Sequence, residues 1–315
     1  SSHSGAHWNR SLALLLAGSY REGWPGYEWR FCQPEFPAAR SMPVPLWQGE
    51  SLQEKRILIH AEQGIGDTLQ FIRLIRPLLE QAERVIIECS SRLMALLSTF
   101  DDRLELVEKE SPLPDVHYHL PLMSLAARLN LSFEEISEAG GYLKVFPTWT
   151  DECNEKVSLP EGSGKRLGIQ WQGDPTFSED KNRSVPLSHW ELLWDVENVT
   201  WVSIQQSHGL EQLSESHPVL NAGVHLDKGP HGFVETAALL KQLDLLITTD
   251  TALVHLAGAL NVPTWLILGE HPDWRWGLEG EQSRWYSSLR LFRQKERGDW
   301  GDVFGRIREE LLAMS

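Results

Sequence analysis

Three short segments of this chain carry residue types and spacings that chemistry can use. The first is Asp250-Thr251-Ala252-Leu253-Val254-His255, which follows directly on the apolar run Leu245–Thr249. A threonine at that junction caps the following helix, and the remaining free amides, with the helix dipole, form a site for an anion such as a diphosphate. His255 lies one helical turn beyond Thr251 on the same face, where it can donate a hydrogen bond to that anion. A plain helix cap beside a buried histidine fits the same spacing, and the segment alone does not choose between the two. The second is Gly64-Ile65-Gly66-Asp67, placed after the apolar run 57–60. Its glycines allow a tight turn, and Asp67 at the helix entrance is either a simple cap or a carboxylate that takes a proton from an attacking hydroxyl. The third is Lys181-Asn182-Arg183-Ser184, two cations on a loop past a strand end. Such a loop neutralises a leaving diphosphate, or is solvated surface.

Other chemistries lack their residues. There is no Walker loop, no GxGxxG, no GxSxG and no pair of aspartates with a single residue between them, the metal site of many sugar transferases. No metal is therefore expected, and no cofactor. His117 and His119 share a face of an expected strand but have no third ligand at useful spacing, so they are read as structural. Three widely spaced cysteines, Cys32, Cys89 and Cys153, form no CxxC pair. They argue against a disulfide framework and for a reducing compartment. With no apolar run near the roughly 20 residues of a membrane span and nothing resembling a secretory signal, a cytoplasmic, non-transmembrane protein is expected.

The elements that must hold these segments follow a clear alternation. The 315 residues are 41% hydrophobic and 23% charged, enough for two ordinary domains, and the net charge of −15 speaks against nucleic acid as a partner. The 14 tryptophans are expected to fill cores and contacts. Residues 9–31 read as a helical hairpin that must pack on the rest of the chain or on neighbouring repeats, and 34–49, with Pro34, Pro37, Pro43 and Pro45, as an extended connector. Strands are expected at 57–60, 85–89, 104–107 and 116–120, with helices at 68–81, 91–99 and 122–129. After an exit at 140–147 the pattern restarts: strands at 167–171, 200–205, 245–249 and 264–268, and helices at 187–196, 209–215, 233–242, 251–260 and 300–312. Short apolar strands alternating with helices imply two parallel α/β domains and a ligand cleft between their sheets. The expected division is a hairpin over 1–40, a first α/β domain over 41–150 and a second over 151–315.

Taken together, several segments resemble the tetratricopeptide-repeat-linked branch of the heptosyltransferase-like family, glycosyltransferase family 9. They are Gly23 to Arg30, Glu62 to Thr68, Ile169 to Gly173, Asn182 to Ser184, Asp250 to Leu260, Pro272-Asp273-Trp274-Arg275-Trp276 and Leu291-Phe292-Arg293-Gln294. The resemblance implies a GT-B fold, two Rossmann-like domains facing a cleft, acceptor domain first and nucleotide-sugar donor domain second. It implies an inverting, metal-independent transfer to a hydroxyl on a saccharide, a lipid-linked saccharide or a protein. Asp67 is then the general base. Thr251, Ala252 and His255 hold the donor diphosphate, Asp250 orders that turn, and Arg183 or Lys181 supplies the basic contact; Gly66 and Gln172 join the donor site. The hairpin looks like the last unit of a tetratricopeptide array, which implies further repeats before residue 1 and a protein partner bound through them. The chain departs from the family at Gly173-Asp174-Pro175 and at Leu268-Gly269-Glu270, where an acid replaces a proline. Nucleotide-sugar 2-epimerases share the architecture, and a non-catalytic nucleotide-sugar-binding scaffold is the third alternative.

Overall fold

A computed structural model describes residues 3–314 apart from 37, 137–139, 161 and 163, so Pro37 of the connector lies outside the described residues. The chain folds as two compact units, Ser1–Lys144 with Asp273–Leu278, and Val145–Pro272 with Glu279–Ser315.

The first unit opens with α1 (Ser4–Ala17) and α2 (Tyr20–Tyr27), the latter tightening into a 3₁₀ turn at Glu28–Cys32 shortly after Pro25. The hairpin does not leave its aromatic face bare. Trp24 meets Phe71 edge-on with ring centroids 6.1 Å apart and Trp274 at 5.5 Å, so the face packs on other elements of its own unit. β1 (Arg56–His60) is followed by α3 (Ile65–Phe71), α4 (Arg76–Leu79), β2 (Arg84–Cys89), α5 (Ser91–Leu97), β3 (Leu104–Glu108), β4 (Tyr118–Pro121), α6 (Leu125–Arg128) and α7 (Phe133–Ile136). The four strands form a parallel sheet in the order β3-β2-β1-β4. The single helix expected over 68–81 is instead α3, a 3₁₀ turn at Ile72–Ile75 and α4. Pro77 explains the break: it has no amide to donate and its ring clashes with the carbonyl of residue 73 in a continuous α-helix.

The second unit runs α8 (Pro147–Lys156), β5 (Lys165–Gln170), α9 (Asp180–Arg183), β6 (Val199–Ser203), β7 (Val219–Asn221), α10 (Val234–Leu240), β8 (Leu245–Thr249), α11 (Ala252–Ala259), β9 (Thr264–Leu268), β10 (Leu289–Arg293) and α12 (Trp300–Ala313). Its six strands are all parallel, in the order β10-β9-β8-β5-β6-β7. Leu167, Ile169, Trp171, Ile247, Ile267, Phe304 and Ile307 lie in one core cluster. Five tryptophans, at 24, 171, 190, 276 and 285, are among the largest fully buried side chains, which gives the unusual tryptophan content its use in packing. The helix expected over 187–196 is a 3₁₀ helix, Leu187–Leu193, and that over 209–215 shrinks to the turn Leu210–Gln212. Among the described residues no helix is long and apolar enough to cross a membrane.

Candidate functional site

In each sheet the chain adds strands to one side of a central strand and then crosses to the other side. Those reversals, at β1 and at β5, open a crevice at the carboxyl ends of the strands, where open α/β sheets bind ligands. Two of the sequence segments of interest follow such strand ends.

At the reversal in the second unit, Gln170 ends β5 and its Oε1 accepts from Thr248 Oγ1 at 2.7 Å and from Thr251 Oγ1 at 2.9 Å. One amide thus ties the ends of two neighbouring strands to the start of α11. Thr251 is the helix cap, accepting from the Leu253 amide at 3.3 Å, with extended backbone before the first turn. Arg183 reaches the same turn: Nη1 donates to the Asp250 carbonyl at 2.8 Å while Nε pairs with the buried Asp180 at 3.0 Å. A helix start with a nearby guanidinium has the charge and the donors an anion needs. His255, only 6% exposed, lies within hydrogen-bonding distance of the Tyr286 hydroxyl, Nδ1 to OH 3.0 Å. With Tyr286 as donor, the ring proton resides on Nε2. Gly258 makes room for this contact, because a β-carbon there would lie 2.3 Å from Cδ1 of the Tyr286 ring.

At the reversal in the first unit, Asp67 lies in the first turn of α3. Its Oδ2 accepts from the Gly64 amide at 2.9 Å, reaching back to the helix N-cap, and its Oδ1 pairs with Arg275. Arg275 also donates to Asp273 at 2.8 Å and, through Nε, to Gln70 at 2.7 Å, although it is only 7% exposed. Burial raises the Asp67 pKa and Arg275 opposes that rise. Burial likewise works against the Arg275 charge, but Asp273 and Asp67 outweigh it and hold its pKa above the ordinary value. On balance burial wins and the Asp67 pKa stands above the ordinary carboxylate value, with Arg275 limiting the rise and the side chain still 23% exposed. The loop before it is anchored from the hairpin. Arg30, fully buried, pairs with Glu28 at 2.6 Å and Glu62 at 2.9 Å and donates to Ser124 at 2.7 Å. The Tyr27 hydroxyl lies 3.5 Å from Gln63 Oε1, and burial pushes its pKa up to about 12.

The structure thus gathers Arg183, Asp250, Thr251, Ala252 and His255 around the start of α11, and it puts Asp67 and Gly66 at the start of α3. It gives Lys181 a different place from Arg183, in the wall of a separate cavity past β9. Gln172 belongs to a lattice of amides: its Oε1 accepts from Gln212 at 2.9 Å and its carbonyl from Gln205 at 2.8 Å. His119 partners His60 rather than His117, with ring nitrogens 3.2 Å apart, while His117 Nδ1 accepts from the Arg56 amide at 3.1 Å. Sequence reasoning assigned no role to Arg275, Gln170, Arg30 or Tyr286. An Asp-Trp-Arg-Trp run hints at the local turn in which Asp273 accepts from the Arg275 amide, but nothing local marks Gln170 or Tyr286.

Residues 199–299 match the family model of glycosyltransferase family 9 (heptosyltransferase), and the two parallel α/β sheets form a GT-B-like fold. Protein FlbA of Caulobacter vibrioides is 25% identical over 321 residues, covering 95% of this chain and 53% of FlbA, so the chain spans about half the length of that curated relative. Among solved structures, a family 9 glycosyl transferase from Veillonella parvula superposes with a TM-score of 0.61 at 13% identity, covering 85% of this chain and 100% of its own. The E. coli ADP-heptose LPS heptosyltransferase II gives a TM-score of 0.59 at 16% identity, with 82% and 98% covered.

Proposed function

We propose that the chain transfers a sugar from a nucleotide-sugar donor to a hydroxyl acceptor with inversion and without a metal. The observation that carries this reading is the strand-end lattice of the second unit, where Gln170, Thr251 and Arg183 converge on the first turn of α11. The donor diphosphate binds there, against the first amides of the helix. His255 and Arg183 take up the negative charge that grows as the bond from the anomeric carbon to the diphosphate oxygen breaks. The acceptor oxygen attacks that carbon as its proton passes to Asp67, which pairs with Arg275 and which burial makes more basic. The solved E. coli relative bears ADP-heptose in its name, which makes ADP-sugars the first donors to examine.

A thermal-shift panel of ADP-, UDP-, GDP- and CDP-sugars, followed by turnover of two variants, tests the reading. Asp67→Asn should lower kcat by about 10²–10⁴, the usual worth of general base catalysis, and leave nucleoside diphosphate affinity unchanged. His255→Ala should weaken nucleoside diphosphate binding in calorimetry. Wild-type turnover in Asp67→Asn would remove the base, and unchanged affinity in His255→Ala would remove the histidine. Conversion of the donor without any acceptor would instead mark an epimerase.

A further inference from the structure

The second unit holds another cavity, at the carboxyl ends of β9 and β10, of about 210 Å³. Lys181, Asn182, Glu270, Gln294, Arg297 and Trp300 wall it. That volume is about seven times the ~30 Å³ share of a water molecule, yet below the roughly 300–1,000 Å³ that encloses a drug-sized ligand. It accommodates one ring-sized part of a ligand and not a whole nucleotide-sugar.

The wall is built tightly. A β-carbon at Gly269 would lie 2.5 Å from the Asn182 carbonyl oxygen, so only glycine lets the α9 loop close on the end of β9. Gln294, 8% exposed, is fixed by its amide donating to the Leu268 carbonyl at 2.9 Å, while its side-chain Nε2 has no hydrogen-bond partner. A buried amide left with an unused donor at a cavity wall is an unfilled contact, and native folds retain few of them. Facing the same space are Glu270, an acceptor whose Oε2 lies 4.0 Å from His271 Nε2, and the cations Lys181 and Arg297, neither paired with a carboxylate among the described residues.

A carboxylate in the wall disfavours a bare phosphate, whereas a mixture of acceptor, amide and cations suits hydroxyl groups, each of which both donates and accepts. The cavity also adjoins the proposed diphosphate site. Lys181 and Asn182 run straight into Arg183, whose Nη1 holds the Asp250 carbonyl, a span of at most about 8 Å of chain. We propose that this cavity receives the sugar ring of the donor, with Glu270 and Gln294 reading its hydroxyls; the assignment rests on the glycosyltransferase reading above.

Calorimetry on the full chain with ADP, and separately with ADP-heptose and ADP-glucose, tests it; another nucleoside diphosphate and its sugars take their place if the thermal-shift panel selects them. Glu270→Gln changes one half-exposed group and should leave the fold intact; Gln294→Ala is the second variant, and thermal melts verify both. Each should weaken binding of the preferred nucleotide-sugar roughly tenfold, the worth of a hydrogen bond to a charged or buried group, with nucleoside diphosphate affinity unchanged. Unchanged nucleotide-sugar affinity in both variants, or an equal loss for diphosphate and nucleotide-sugar, overturns the sugar assignment while the glycosyltransferase reading stands. A wild-type chain that binds no nucleoside diphosphate overturns both.

Discussion

Asp67 is pulled in opposite directions by its surroundings, and the balance is set by one cation. Removing Arg275 would leave the Asp67 and Asp273 carboxylates without the guanidinium that bridges them. Breaking a buried pair from one side costs about 3–5 kcal/mol, and the partial exposure of both acids places Arg275→Met near the lower end, about 3 kcal/mol, measurable by urea denaturation. Loss of the positive charge also raises the Asp67 pKa further. The carboxyl then protonates at higher pH, so the acid limb of the kcat/KM profile should move to higher pH in Arg275→Met. An unmoved limb would mean that Asp67 is not the titrating base.

At the scale of elements, α11 depends on a missing side chain. An added methyl at Gly258 would collide with three atoms of the Tyr286 ring at 2.3–2.6 Å, so Gly258→Ala must displace the ring. Overpacking of that kind costs about 1–3 kcal/mol. It should also weaken nucleoside diphosphate binding through His255, less than His255→Ala does; calorimetry on both variants would show this. In the sheet of the first unit, β1 and β4 bring His60 and His119 into contact. Burial first, and His119 second, lower the His60 pKa to about 3, so the folded state holds it neutral while the unfolded chain protonates it near 6.5. The unfolded chain therefore binds the extra proton: stability from this site is full above about pH 6.5 and falls as the pH drops from there toward about 3, by up to about 1.4 kcal/mol per pH unit. Urea midpoints at pH 7 and pH 5 should differ accordingly, and His60→Gln should narrow the difference.

For the molecule as a whole, the two units carry separate sheets, and the proposed donor groups belong to the second. Ligand at a hundredfold excess over Kd stabilises the state that binds it by about 2.7 kcal/mol. Nucleoside diphosphate should therefore raise the melting temperature, and added hydrogen-exchange protection should concentrate in β8, α11 and residues 180–184. Protection centred on the β1–β4 sheet would place the nucleotide elsewhere.

Much of this was legible in the order of residues. Apolar runs alternating with amphipathic stretches mark eight of the ten strands among the described residues, and Thr251 is readable as a cap because capping is local, one side-chain oxygen two residues from its amide. The sequence does not mark β7, three residues long, or β10, whose apolar residues are interrupted by Arg290 and bounded by Arg293, because neither presents a continuous apolar run of four residues. Pairings between distant residues were out of reach. Arg275 reaches Asp67 across 208 positions, and Gln170 reaches Thr251 across 81. Local composition determines which backbone shapes and charges are available, but a carboxylate's partner, and with it its basicity, is chosen only when the folded chain brings two remote segments within hydrogen-bonding distance and excludes the water that would otherwise screen them.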